Sequence, residues 1–337
     1  KVTTLADGKN HGLVFILDWS GSMQYVLQDT LKQLYNLIWF CRKVQIPFDV
    51  YAFTNEWSRR EYDYSTSEYC EPQKREHYKE KDGSLVVERD FTLMNLFTSK
   101  INGKTLDQQM LNIWRTAETF ISRDIYYRYP PRLCLSGTPL NEALISLHQI
   151  LPKFQKENGV EKTQCIVLTD GEAHQLPHNT IVKRHWEDEP YMGRAGSGGD
   201  RCFLRDRKLG RTYQIGYQYH KFTEALIRNL KDRFPTTNFI GIRVLSSRDA
   251  KSFIRLYYHN AHYGYDSSKE YDTIINDWKK NKSFNIKNSG YDAYFGLSSS
   301  ALSQDSEFDV DDSATKAQIK RAFAKSLKTK KLNKKVL

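Results

Sequence analysis

Two carboxylates and three hydroxyls follow apolar runs of this chain in positions where a sheet could bring them together. The run LVFIL ends on Asp18, which is followed by Ser20 and Ser22 at a spacing of two. Thr138 lies in the loop LSGTP, and Asp170 follows the apolar run CIVLT. Ligands of open α/β sheets bind at the carboxyl ends of the strands. We therefore predict one site at that edge of a sheet.

All of these side chains offer oxygen, which predicts a hard divalent cation. Mg²⁺ prefers an octahedron of oxygen ligands. The spacing of two lets one turn present both Ser20 and Ser22. With only two formal negative charges among the donors, the ion would stay electrophilic, and a carboxylate from outside could complete its shell. We expect Mg²⁺, with Mn²⁺ or Ca²⁺ as alternatives, in a recognition site without catalytic residues of its own.

Strand and helix patterns alternate along the chain and predict an α/β fold. Its core would be a doubly wound, mostly parallel sheet flanked by helices. Continuous apolar runs indicate central strands at 13–17 and in TQCIVLT before Asp170, and further strands are predicted at 48–54 and 237–245. The segment RDFTLMNLF predicts an edge strand, and four segments with apolar residues at helical spacing predict helices between the strands. This order suits the predicted site, because each strand end leads into a loop.

We divide the chain into a core, two insertions, an extension and a tail. The core covers 12–256 and is interrupted by polar insertions at about 55–90 and 171–217. A Tyr- and Lys-rich extension with the final sheet elements covers 257–312, and a basic tail covers 313–337. Within the second insertion, CFLRDRKLGRTYQI alternates around a glycine and predicts a β-hairpin. Neither this insertion nor the Tyr- and Lys-rich stretch from Tyr257 to Ser283 resembles an independent domain, and we interpret both as elaborations of one α/β core.

The formal net charge of +11 is concentrated in the tail. Nine Lys and Arg residues and no acid follow Asp312, so the rest of the chain is close to neutral. Ile319, Phe323 and Leu327 repeat every four residues, which predicts a basic amphipathic helix. Three interpretations of this helix remain open: packing on the core, docking on an acidic protein, or contact with nucleic acid.

Several function classes are disfavoured by what the sequence lacks. No run approaches the ~18 apolar residues of a membrane span. Five scattered cysteines and the lack of a leader pattern favour the cytoplasm. The segment NGKT lacks the glycine of a phosphate loop five residues before Gly103, so we expect no ATP hydrolysis. His174 and His178 flank Pro177, and we interpret them as loop residues rather than a zinc pair.

The motif Asp-x-Ser-x-Ser, a later Thr in GTP and a later TDG resemble the metal-ion-dependent adhesion site (MIDAS) of von Willebrand factor A domains. The resemblance covers Gly12 to about Leu256, apart from the two insertions. It implies the fold of that family and a metal bound directly or through water by Asp18, Ser20, Ser22, Thr138 and Asp170.

Within that family, the segments FILDWSGSM, GTPLNEAL and VLTDGEA are similar to intracellular members. These are the C-terminal domain of the cobaltochelatase T-subunit and relatives that work beside MoxR-type AAA+ ATPases, including versions carried by phages. The resemblance implies an adaptor that docks through its metal onto an acidic residue of an AAA+ ATPase. Its location would be the cytoplasm, or the host cytoplasm for a phage-encoded chain.

Three alternatives remain beside the adaptor. The chain could be a non-catalytic subunit of an ATP-driven cobalt chelatase, although it lacks the long acidic region that precedes the domain in the full cobaltochelatase subunit. It could bind RNA or another nucleic acid through the basic tail, which steep salt dependence would reveal. It could be a secreted adhesin, against which the cysteines and the missing leader pattern argue.

Overall fold

The structure, a computed structural model, describes most of the core and both hairpin regions of the second insertion. It covers residues 10–55, 62–63, 65–69, 80–88, 90–121, 130–186, 188–199, 201–258, 267–287, 289–302, 315 and 318. Part of the first insertion and most of the predicted helix of the basic tail, including Ile319, Phe323 and Leu327, lie outside the described residues.

The strands and helices alternate through the core as the sequence pattern predicts. The strands are β1 (His11–Asp18), β2 (Phe48–Asn55), β3 (Tyr62–Asp63), β4 (Glu68–Tyr69), β5 (Phe91–Thr98), β6 (Lys162–Thr169), β7 (His178–Val182), β8 (Tyr191–Ala195), β9 (Cys202–Asp206), β10 (Arg211–Ile215), β11 (Thr237–Leu245), β12 (Ser283–Ile286) and β13 (Ala293–Ser298). The helices are α1 (Leu27–Val44), α2 (Gly103–Ile121), α3 (Leu140–Asn158), α4 (Tyr219–Arg233), α5 (Asp249–Tyr258), α6 (Ser267–Asn281) and α7 (Ser299–Leu302).

Seven strands form one central sheet in the order β12-β13-β11-β6-β1-β2-β5. The neighbours from β13 to β2 run parallel, whereas the edge strands β5 and β12 are antiparallel to the strands beside them. This arrangement confirms the predicted doubly wound, mostly parallel α/β fold. It also confirms RDFTLMNLF as an edge strand.

The continuous apolar run of β1 is explained by burial on both faces of the sheet. Val14 and Ile16 belong to the core cluster formed with α3 and α4, whereas Phe15 and Leu17 pack with α1 and α2. Successive side chains of a strand point to opposite faces, so a central strand covered on both sides needs apolar residues at every position. No helix in the described part of the chain is both long and apolar enough to cross a membrane.

The second insertion folds into two antiparallel hairpins, β7–β8 and β9–β10. The latter confirms the hairpin predicted in CFLRDRKLGRTYQI. Residues 80–88 of the first insertion pack along β7, where Gly83 donates its N–H to the Asn179 carbonyl at 2.8 Å. Arg194 donates two hydrogen bonds to the Glu88 carboxylate, each 3.1 Å long. The two insertions are therefore joined, which no local sequence pattern indicates.

The strand order places a crevice between β1 and β6. The chain leaves β1 toward β2 on one side and later returns to pair β6 on the other side. Where the loops after two neighbouring strands leave in opposite directions, a crevice opens at the carboxyl ends of those strands. Ligands of such sheets bind in this crevice. Asp18 ends β1, and Asp170 directly follows β6.

Glu142, in the first turn of α3, should make stability depend on pH. Burial, with the nearby charges of Glu88 and Asp90, raises the pKa of its carboxyl from 4.5 to about 7, and only 7% of the residue is exposed. The folded chain then holds this proton more tightly than the unfolded chain, so stability falls as pH rises from about 4.5 to about 7.

We expect Glu142→Gln to raise the free energy of unfolding at pH 8, by at most about 3 kcal/mol, and to leave it unchanged near pH 4.5. Denaturant unfolding at the two pH values measures this difference. The exposed Glu118→Gln change in α2 is the control. An equal gain at both pH values would contradict the assignment.

Candidate metal centre

A buried tryptophan fixes the turn that follows β1. Trp19 has no exposed surface, and its backbone N–H donates to the Phe53 carbonyl at 2.9 Å. Its indole Nε1 donates to the Leu133 carbonyl at 2.8 Å, and its ring packs edge-on against Phe120. These contacts hold the first residues after Asp18 in one conformation.

Backbone contacts bring the loop that carries Thr138 to the same place. Ser20 forms a parallel bridge with Ser136, and Gly21 donates its N–H to the Ser136 carbonyl at 2.8 Å. The residues are more than a hundred positions apart in the chain. This bridge continues parallel pairing beyond the strand ends, into the loops that carry the predicted ligands.

Hydrogen bonds join three of the predicted site residues, and a fourth, Asp18, bonds to Thr169 beside them. The hydroxyls of Ser20 and Ser22 lie 3.1 Å apart, and the Ser22 hydroxyl donates to Oδ1 of Asp170 at 2.7 Å. Asp18 interacts with Ser20, and its Oδ2 accepts a hydrogen bond of 2.6 Å from the Thr169 hydroxyl. The carboxyl ends of β1 and β6 are thus connected side chain to side chain.

Thr138 reaches this cluster through Gly171. A Cβ atom at Gly171 would lie 3.2 Å from both Oγ1 and Cγ2 of Thr138, so the absence of a side chain permits the close approach. The structure therefore brings all five predicted residues to one region at the switch point of the sheet.

Burial opposes the ionisation of both carboxyls. Desolvation is the largest cause that raises the pKa of Asp18 to about 7, and the charge of Asp170 adds to it. The hydrogen bond from Thr169 and the proximity of Ser20 oppose this increase. Burial also raises the pKa of Asp170, although the hydrogen bond from the Ser22 hydroxyl and the charge of Arg243 act to lower it. A cation between them would relieve both effects.

A further observation indicates that these donors suit a hard cation. Oδ1 of Asp18 is buried and has no hydrogen-bond partner among the described residues. Such an oxygen is costly unless a ligand satisfies it. No group of three or more His, Cys, Asp or Glu that could hold a metal occurs in the described ranges. The cluster has two carboxylates, and its other donors are hydroxyls, which suits Mg²⁺ better than zinc.

Thr169 is the residue of this cluster that our sequence reasoning missed. Its hydroxyl donates to Asp18 and accepts the N–H of Gly171 at 3.0 Å, so it connects the two strand ends. The available signal was its position directly before Asp170 in TDG. The two candidate zinc histidines do not meet: His174 packs against Tyr219, and His178 bonds to the Ser197 hydroxyl.

We expect Thr169→Val to weaken Mg²⁺ binding by about 10–100-fold, because Asp18 would lose the donor that orients it. Isothermal titration of the chain with MgCl₂ measures the affinity. The control is Thr116→Val, which removes a hydroxyl bonded within α2. Equal affinities of the two variants would show that Thr169 does not position the site.

Comparisons with known proteins give no independent evidence about the function of this site. No protein-family model matches the chain, and no curated protein matches it. Two solved structures similar to it are of the pilus adhesin SpaC from Lactobacillus rhamnosus GG, one of them in an open conformation, at 13% and 14% identity and TM-scores of 0.40 and 0.39. Each comparison covers 96% of this chain and 31% of the adhesin. Similarity this low carries no argument about function.

Proposed function

We propose that this chain is a metal-dependent protein-binding domain of the von Willebrand factor A type. Its site would hold Mg²⁺, or Mn²⁺ or Ca²⁺, through Asp18, Ser20, Ser22, Thr138 and Asp170. The observation that carries the proposal is the buried, unpartnered Oδ1 of Asp18 within a cluster of hydroxyls and a second carboxylate.

Each residue of the site would have its own role in binding the cation. Asp18 supplies a buried charge, and Thr169 holds its second oxygen in place. Ser20 and Ser22 present hydroxyls from one turn, and Asp170 orients Ser22 by accepting its hydrogen bond. When bound, the cation would supply a coordination position for a carboxylate from outside the chain.

The partner that we propose is an AAA+ ATPase of the MoxR or cobaltochelatase S type, which would offer an acidic residue to the metal. Support comes from the motifs FILDWSGSM, GTPLNEAL and VLTDGEA, together with the donor set, which leaves the cation electrophilic. In this role the chain works in the cytoplasm, without catalysis of its own. Membership of a cobalt chelatase complex is a narrower form of the same proposal.

The experiment that tests it has two stages with the full chain. Isothermal titration with MgCl₂ first asks whether the site binds the cation. Pull-downs from the native host lysate then compare Mg²⁺ with EDTA, using wild type, Asp18→Ala and Asp49→Ala, and mass spectrometry identifies the bound proteins. Asp49 is a matched control because it is also a buried aspartate with an unpartnered Oδ1, yet it lies at the start of β2, at the other end of the sheet.

The proposal is supported if wild type and Asp49→Ala retain an AAA+ ATPase with Mg²⁺ but not with EDTA, and Asp18→Ala retains none in either buffer. Absence of Mg²⁺ binding in the titration would overturn it. If the same proteins came down with all variants in both buffers, the metal site would not be the docking point. Nucleic acid retained in all conditions and released by salt would instead favour the basic tail as the binding element.

A further inference from the structure

A polar cavity lies beside the metal centre, one strand further along the sheet. It is formed between the loop after β6, the start of α4, the end of β11 and the segment around β13. Its volume is about 20 Å³, and it opens to solvent. Gly171 contributes to its wall and also contacts Thr138 of the metal centre. The cavity and the predicted metal site therefore share a wall without sharing donors.

Arg243, at the end of β11, presents a buried positive charge to this cavity. The residue is only 8% exposed, and its Nε is buried without a hydrogen-bond partner. Its guanidinium carbon lies 5.1 Å from the centroid of the Phe253 ring. No described carboxylate lies within ion-pair distance of it, although its charge acts on the carboxyls of Asp170 and Glu172 and opposes the effect of burial on their pKa. The buried Nε–H itself has no acceptor, which is costly.

His220, in the first turn of α4, presents a second unpartnered group to the same space. It is 6% exposed, and its Nδ1 has no hydrogen-bond partner among the described residues. Burial lowers the pKa of its imidazole to about 4, so the ring is neutral near pH 7 and Nδ1 can carry a proton or accept one. Its ring packs at 4.7 Å from that of Tyr257, which also lines the cavity.

We propose that this cavity binds a carboxylate group, which accepts a hydrogen bond from Nε of Arg243 and contacts Nδ1 of His220. The carboxylate would supply the acceptor that the buried Nε–H of Arg243 lacks. Planar guanidinium donors match the geometry of a carboxylate well. The buried Ser289, with Tyr257 and Tyr294, lines the same space and adds hydroxyls to it.

The charges around the cavity favour a monoanion over phosphate. Glu172 and Glu224 belong to its wall, and a phosphate dianion would be repelled more strongly than a carboxylate. Glu224 is already paired with Lys221 and Arg228, so its charge is partly compensated. The carboxylate could belong to an acidic side chain of a protein or to a small free acid.

The test uses the side-chain Nε–H signals of ¹⁵N-arginine in the full chain. Sodium acetate is titrated in metal-free buffer against sodium chloride at equal ionic strength, in wild type and in Asp18→Asn. The latter variant removes the predicted metal ligand but leaves the cavity, so failure here is distinct from failure of the metal proposal. Arg243→Lys assigns the Arg243 signal, and the exposed Arg255→Lys in α5 is the control.

We expect acetate, but not chloride, to shift the Arg243 signal to saturation in both backgrounds. Acetate should also shift the His220 ring signals, with an affinity about tenfold weaker in Arg243→Lys and unchanged in Arg255→Lys. An Arg243 signal that responds equally to both salts, or not at all, would overturn the proposal.

Two further probes, a peptide and a small acid, distinguish the possible sources of the carboxylate. Binding of either one supports the proposal that the cavity takes a carboxylate. Tighter binding of a blocked tripeptide of aspartates than of succinate would indicate an acidic segment of a protein. Tighter binding of succinate would indicate a small free acid. Inorganic phosphate that bound more tightly than any of these would overturn the assignment to a carboxylate.

Discussion

Replacement of Asp18 by Asn should raise the stability of the metal-free chain and abolish its response to Mg²⁺. The carboxyl is fully buried, and one of its oxygens has no partner, so its charge is destabilising in the absence of a cation. Asparagine has the same shape without the charge. We expect a gain on the order of 2 kcal/mol in the free energy of unfolding at pH 8 without metal.

The effect of Mg²⁺ on the same two proteins should be opposite. A cation that binds only the folded chain stabilises wild type by about 2.7 kcal/mol when its concentration is 100 times the dissociation constant. Asp18→Asn should show no such gain, because a ligand oxygen with a full charge has been removed. Thermal unfolding with and without MgCl₂ measures both effects in one experiment.

Asp49→Asn is the control for the general effect of removing a buried aspartate charge. It should also stabilise the metal-free chain, since burial raises the pKa of Asp49, yet it should keep the full response to Mg²⁺. Loss of the response in Asp49→Asn as well would show that Mg²⁺ acts elsewhere. A wild-type chain that is insensitive to Mg²⁺ would contradict the metal site itself.

Truncation of Trp19 to Ala should produce the largest loss of stability near the site. The indole is fully buried between the turn after β1 and α2, where it contacts Phe120. Removal of a buried tryptophan costs about 3–5 kcal/mol. Trp19→Phe should keep most of the packing but leave the Leu133 carbonyl without its donor, at a cost of about 1–3 kcal/mol.

Denaturant unfolding at equilibrium checks both Trp19 variants. The matched control is Trp186→Ala, in the exposed part of the second insertion, where 66% of the side chain is accessible. Its change should stay within about 0.5 kcal/mol. Similar losses for Trp19→Ala and Trp186→Ala would show that Trp19 does not anchor the turn. Because this turn carries Ser20 and Ser22, we also expect folded Trp19→Phe to bind Mg²⁺ more weakly than wild type.

The sequence by itself was sufficient to predict the fold class and the elements that carry the predicted ligands. The apolar run of β1 and the helical spacing in α1 are short-range patterns, and each reflects the faces that the element buries. The positions of Asp18 and Asp170 at strand ends followed from the same patterns. Their meeting followed from the general rule for parallel sheets.

The tertiary structure alone decided which side chains touch across the strand ends. Thr169 bonds to Asp18 across 151 positions of the chain, and this contact depends on the pairing of β1 with β6. The joining of the two insertions and the placement of Arg243 beside His220 are equally non-local. Periodicity reports only which face of an element is buried, whereas strand order and register determine the neighbour that it meets. The buried charges that define both proposed sites therefore became visible only in the folded chain.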